Sequence, residues 1–406
     1  MLKFSHEANK ALKIGSLCST AYLAVYVARN ILGSVSPQMI EEGVFTEAQI
    51  GTLSSIYFIT YAAGQLINGI IGDKVKAKYM ISLGLIFAGV TNALFALFAG
   101  NPMGSTVTYA LTGFALAMIY APMTKVVAEN TDPIYAPRCS LGYTFASFLG
   151  SPSAGLLAAA LVWQGVFGTS SVFLILMGVM CLLVFSSMER KGIIKYGQYA
   201  PKQEQGGSIR ALLEHRIIRF TLVAMLTGVV RTTVVFWLPT FISQYLGFSP
   251  EKSALIYTVS TLFISSSAFL AIFTYERLHR NMNLSILLSF GISAVSFLLV
   301  WLLDWPLICI VCMVVAITTS NCASNLLWSI YCPSLRDTGV VSGATGFLDF
   351  ASYIAAAISS SLFSNAVADI GWGPLILVWF GLMVLGTLTA LPFPRKTSKM
   401  SVSRKD

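Results

Sequence analysis

Two arginines stand where arginine is costly. Arg29 lies in the run AYLAVYVARNILGS and Arg231 in AMLTGVVRTTVVFWLP, each eight residues ahead of a proline, Pro37 and Pro239. A guanidinium keeps its proton and presents a planar fork of donors. Two forks facing one space suit a multi-oxygen anion such as phosphate or a dicarboxylate. One arginine alone could reach a headgroup or pair with an acid; two at matched positions point to a shared task. Tyr22 and Tyr26 precede Arg29 at helical spacing and share its face, so they could contact an anion, brace the guanidinium or simply pack. Tyr61 and Gln65, one turn apart, make a polar stripe in a second apolar run. Asp349, in ATGFLDFASYIAAA, could pair with an arginine, carry a proton, touch a cationic group or make a structural contact.

Other chemistry is missing from the pattern. The three histidines fall in polar segments, and most of the seven cysteines sit inside apolar runs. Cys309 and Cys312 have CxxC spacing, but lie mid-run and read as buried small hydrophobes. No nucleotide-binding glycine loop, zinc-protease motif or nucleophile elbow is present. The expectation is therefore no enzyme, no cofactor and no metal, with any work driven by an ion or exchange gradient.

The elements that position these residues follow from composition. The chain has 406 residues, 56% hydrophobic and only 11% charged, where a soluble domain carries about 25% charged residues. That excludes an ordinary soluble enzyme, a disordered chain and a disulfide scaffold. Apolar runs fall near 14–36, 48–71, 79–99, 104–127, 139–162, 165–187, 217–243, 252–274, 283–303, 306–330, 340–367 and 373–393, each long enough to span ~30 Å of hydrocarbon. The fold class expected is all-α membrane protein with twelve transmembrane helices. The N-terminus, MLKFSHEANKALK, does not read as a signal peptide. With both termini placed in the cytoplasm, only Lys252 of the 26 Lys and Arg residues falls in an outer loop; Arg29 and Arg231 fall within spans, and the other 23 in cytoplasmic loops, tails or span ends. That asymmetry supports a multi-pass protein of a cell membrane, most simply a bacterial inner membrane. The net charge of +9 then belongs to basic cytoplasmic loops and not to a nucleic-acid partner. A monomer in the lipid bilayer is expected.

The chain also repeats. Asp73-Lys74 after span two is answered by Glu276-Arg277 after span eight. Phe145-Ala146-Ser147-Phe148 is answered by Phe350-Ala351-Ser352-Tyr353, and Ile134-Tyr135-Ala136-Pro137 by Ile330-Tyr331-Cys332-Pro333. With the arginine–proline pairs, these matches at about half-length offset indicate two homologous six-helix halves. Residues 1–187 form the first, 188–216 a cytoplasmic linker, 217–393 the second and 394–406 a basic tail. Such repeats place a substrate site near the midplane between halves that rock around it.

At Gly69-Ile-Ile-Gly72-Asp73-Lys74-Val-Lys76-Ala-Lys78 the chain resembles the major facilitator signature, with Lys76 at its second glycine. Within that superfamily it resembles the organophosphate:phosphate antiporters, the glycerol-3-phosphate and hexose-phosphate type. The resemblance implies the major facilitator fold. It also implies a small anionic substrate held between Arg29 and Arg231, beside Tyr22, Tyr26, Tyr61 and Tyr353, and exchanged by alternating access. The second arginine is followed, as in that family, by a Trp-x-Pro-Thr stretch, here Trp237 to Thr240. Gly69, Asp73, Lys74 and Lys78, with Glu276 and Arg277 in the second half, are the expected gating motif. Asn30, Gln65 and Ala146 stand where that family carries lysine, lysine and histidine, and Asp349 where it carries a small residue. The cavity is thereby less positive, which opens a monocarboxylate, a zwitterion or a proton-coupled anion, with Asp349 titrating, beside the phosphate ester. A membrane sensor that does not transport is the reading from another class.

Overall fold

The computed structural model describes residues 6–132, 135–196, 216–332 and 341–391. Among them regular structure is helical throughout, as a chain crossing hydrocarbon requires: each span must satisfy its own backbone groups. Span one is a single long helix, His6–Glu41, followed by span two, Glu47–Lys74, and span three, Ala77–Leu97. Span four is broken into Pro102–Leu116 and Tyr120–Asn130. Span five is Ala136–Ala160 and span six Trp163–Arg190. Span seven runs Ile217–Gly228, a π-helical turn Val229–Val234, then Val235–Gln244. Span eight is Pro250–Ser265 continued by Ser267–Arg277, and span nine Met282–Leu302. Span ten, Pro306–Leu326, ends in a second π-helical turn, Leu327–Tyr331. Span eleven is Val341–Ile370 and span twelve Trp372–Ala390.

The ends are capped by the residues that the loops supply. Thr46 accepts from the Gln49 amide while Gln49 Oε1 accepts from the Thr46 amide, a capping box. Asn101 accepts from the amides of Met103 and Gly104 with Pro102 behind it, and Asn281 from Leu284. Eleven of the spans are long and apolar enough to cross a membrane; span five has only the shorter apolar stretch Phe145–Ala160. Span five packs against span one on one side and span eight on the other.

Spans one to six and seven to twelve form two halves. Within the first, span one packs on span five and span three on span six; within the second, span nine packs on spans ten and twelve. The halves meet through spans two and eleven, five and eight, and one and seven. Hydrogen bonds between them run from mid-membrane to the end away from the termini. Ser55 donates to the Ala357 carbonyl at 2.6 Å, and the hydroxyls of Ser36 and Thr240 meet at 2.8 Å. Gln244 donates across to Glu47 Oε1 at 2.6 Å and is held within its own half by Trp372 Nε1, which donates to it at 3.1 Å. The end away from the termini is therefore closed.

Pro37 shapes this closure. Its missing N–H leaves the Gly33 carbonyl without the usual donor. The Ser36 hydroxyl takes that role at 2.9 Å, and Gly33 itself lets span seven come close. A Cβ there would stand 2.8 Å from the Phe236 carbonyl oxygen. After span six the chain folds back, with Ile194 buried and the Lys195 amide donating to Asn130 Oδ1 at 2.7 Å. Most of the 188–216 segment and all of the 394–406 tail lie outside the described residues.

Candidate functional site

The two arginines meet at one ring. Arg29 Nη1 donates to the Tyr353 hydroxyl at 2.8 Å, and its guanidinium carbon stands 4.9 Å from the centre of that ring. The rings of Tyr26, Tyr61 and Phe58 lie 5.5, 5.2 and 5.8 Å from the same carbon. Arg29 thus sits in a box of four aromatic faces from spans one, two and eleven, an attractive setting for a cation that must leave water. Arg231 approaches Tyr353 from the other half, with its carbon 5.8 Å from the ring centre. Its Nη2 donates to Ser352 Oγ at 3.5 Å, and its Nε is buried with no partner. Both side chains are half-buried.

The π-helical turn of span seven carries Arg231. A π turn inserts an extra residue into the helical ladder and re-aims the side chains around it. Nothing in the apolar pattern signals this turn, which sequence reading missed.

Beside the arginines lies a cavity of about 170 Å³, lined by residues of both halves. Tyr26, Arg29, Asn30 and Phe58 form one wall and Arg231 and Thr232 another. A third wall, which the sequence reading did not single out, comes from span ten, packed beside the span-seven turn that carries Arg231: Asn321, Ser324, Asn325 and Trp328. Their i, i+3, i+4, i+7 spacing was the available signal, hidden because neutral amides and hydroxyls do not stand out as charges do. Ser147 and Ser151 of span five and Ser265 of span eight complete the lining.

The remaining expected residues fall into place around this centre at different depths. Tyr61 packs edge-on against Tyr353, ring centres 5.2 Å apart, behind the arginine box. Tyr22 is one layer further back, buried in a cluster with Tyr26, Tyr120 and Tyr143 at 4.9, 5.5 and 6.0 Å. Gln65 is half-buried one turn beyond Tyr61 and is not among the cavity-lining residues. Asn30 turns its amide back to its own helix, donating to the Tyr26 carbonyl at 2.6 Å. Ala146 is buried in span five. Asp349 lies half-buried one turn from Tyr353, off the cavity lining, and among the described residues forms no ion pair with either arginine.

At the termini side, Lys78 Nζ and Lys76 Nζ grip the two oxygens of Glu189 at 2.5 and 2.6 Å, tying span three to the end of span six. Glu189 was not singled out in the sequence. Glu276 and Arg277, the counterparts of Asp73 and Lys74, are exposed at the end of span eight, with Arg277 over the Phe273 ring at 5.3 Å. The side chains of Gly69, Asp73 and Lys74 lie outside the described residues. Among the described residues no cluster of His, Cys, Asp or Glu could hold a metal.

The family profile of the Major Facilitator Superfamily matches residues 18–360, across both halves and every wall of this cavity. The chain belongs to that superfamily. Solved structures agree on the fold: a D-xylose-proton symporter superposes with a TM-score of 0.72 at 12% identity, covering 96% of this chain and 98% of that one. A bacterial homologue of the lysosomal transporter Spinster, in an inward-facing and unoccupied conformation, gives 0.70 at 15% identity over 94% of each chain. Sequence relatives are partial. The membrane sensor protein UhpC of Salmonella typhimurium is 31% identical over 93 residues, 23% of this chain and 21% of its own. The glycerol-3-phosphate transporter of Bacillus subtilis is 22% identical over 57% of each chain, and a probable hexose phosphate transport protein of Chlamydia trachomatis 29% identical over 20% of this chain and 18% of its own. The aligned stretches thus span from about a fifth to just over half of these relatives. This superfamily member is a multi-pass membrane protein of the major facilitator fold.

Proposed function

We propose that the protein is a secondary active transporter of a small organic anion, an organophosphate exchanged for inorganic phosphate, working by alternating access. The observation that carries this reading is the convergence of Arg29 and Arg231, one from each half, on Tyr353 beside a shared cavity. An anion placed there would be held by both halves at once, and rocking the halves would pass it from one side to the other. The Bacillus subtilis glycerol-3-phosphate transporter and the chlamydial hexose phosphate proteins support the phosphate head. The closed far end corresponds to a state loaded from the termini side, the cytoplasmic side if the basic loops face inward.

Asp349 supports a second reading, proton–anion symport, because an acid one turn from Tyr353 lies where the arginines can answer its charge. The likeness to UhpC supports a third, sensing, over the short aligned stretch alone. Uptake by proteoliposomes decides among them. Phosphate-loaded vesicles should take up labelled glycerol phosphate without a pH gradient. Uptake that requires the gradient would favour symport. Specific binding of these anions without uptake would favour a sensor, and neither binding nor uptake of any anion would overturn the two-arginine site.

A further inference from the structure

The span-ten wall has its own chemistry. Asn321 Oδ1 is buried without a hydrogen-bond partner, and so are Thr232 Oγ1 and Arg231 Nε on the neighbouring turn of span seven. Asn325 donates to Ser267 Oγ at 3.2 Å, which leaves its carbonyl oxygen as an acceptor. Ser324 Oγ accepts from Trp328 Nε1 at 3.2 Å, which leaves its own hydroxyl proton to offer. A buried polar atom left without a partner is costly, so a wall of this kind is completed by what binds. No carboxylate and no cation lines it among the described residues. A cationic tail would therefore meet no counter-charge, and a second anionic group would meet amide oxygens. Turning either amide around exchanges oxygen for nitrogen, but the wall stays neutral and rich in hydrogen bonds.

We infer that Asn321, Ser324 and Asn325 form a specificity subsite for the uncharged end of the substrate, selecting hydroxylated monofunctional anions over symmetric dianions, zwitterions and anions with plain alkyl tails. The inference rests on the two-arginine anion reading and adds to it. The arginines hold the head, and span ten reads the hydroxyls at the other end. Sites built to hydrogen-bond a substrate hydroxyl reject the analogue lacking it far more strongly than apolar pockets reject an extra one, because their own groups are then left unpaired.

The test is competition binding to the full-length protein in nanodiscs, with two heads and two tails: glycerol phosphate against propyl phosphate, and glycerate against propionate. Inorganic phosphate and succinate serve as controls. The wild type should prefer the hydroxylated member of the better-bound pair by at least tenfold, and should bind succinate more weakly than that member. Asn321→Ala and Asn325→Ala should each reduce the preference at least threefold, and the double variant should bring it close to one. Equal affinity of the wild type for hydroxylated and plain tails would overturn the subsite while leaving the arginine site standing. So would undiminished preference in both variants. If the variants fail to fold, the wild-type ratios alone decide. If no anion binds the wild type, the anion reading falls and the subsite with it, a result distinct from anion binding without hydroxyl preference.

Discussion

Replacing Gly33 by alanine should shift the carrier away from the state closed at the far end. In that state the helices of spans one and seven touch at Gly33, where an added Cβ would lie 2.8 Å from the Phe236 carbonyl oxygen and 2.9 Å from its ring carbon Cδ2. The ring can turn, but the carbonyl belongs to the backbone of span seven. Relief therefore requires moving one half relative to the other or straining both helices. Inserting a methyl into a packed contact costs typically ~1–3 kcal/mol, which is a roughly five- to 150-fold change in the ratio of closed to open states. The methyl meets nothing once the halves separate at that end, so the cost falls on one state. Spin labels at Glu41 and Glu251, exposed at the far ends of spans one and eight, report the separation by pulsed electron resonance. The expected result is a growing population at longer distance, with transport slowed. An unchanged distance distribution together with normal turnover would refute the idea that this contact is part of the gate.

Other outcomes are equally open to measurement. Arg29→Lys and Arg231→Lys should each abolish uptake in correctly inserted protein, weakening anion binding by about 1.5–3 kcal/mol, the range for a hydrogen bond to a charged group; near-normal uptake by either would sink the paired site. Asp349→Asn should preserve substrate-for-substrate exchange while removing any dependence on a pH gradient, and wild-type uptake indifferent to the gradient would reduce Asp349 to a structural contact. Glu189→Gln should slow turnover while leaving substrate affinity within a few fold and should lower thermal stability, since it unpairs the buried Lys78 as well as the exposed Lys76; a changed substrate preference would contradict a gating role.

The spans, the two halves and the arginine pair were legible in sequence for one physical reason: charge and apolarity differ so sharply in cost inside hydrocarbon that both leave a trace. Arg29 and Arg231 announce themselves because little else in their runs is charged. Asn321, Ser324 and Asn325 do not, since neutral groups are cheaper and scatter through all the spans. Tyr22 and Tyr26 share one face of a helix, yet only the geometry of neighbouring spans puts Tyr26 on the cavity and Tyr22 among Tyr120 and Tyr143. Glu189 illustrates a further gap. It ends a helix far along the chain from Lys76 and Lys78, and no periodicity links residues that only the fold brings together.

The shared ring of Tyr353 has a consequence for leakage. Without an anion between them, two like charges from opposite halves share one phenol ring, and the acid one turn away, Asp349, forms no ion pair with either among the described residues. Bringing the halves together from the termini side to occlude an empty centre would press those charges into a drier space, where their repulsion grows. A bound anion removes that penalty. On the proposed function, the unloaded carrier would be held back from crossing, and the electrostatics that attract the anion would keep it from slipping without cargo.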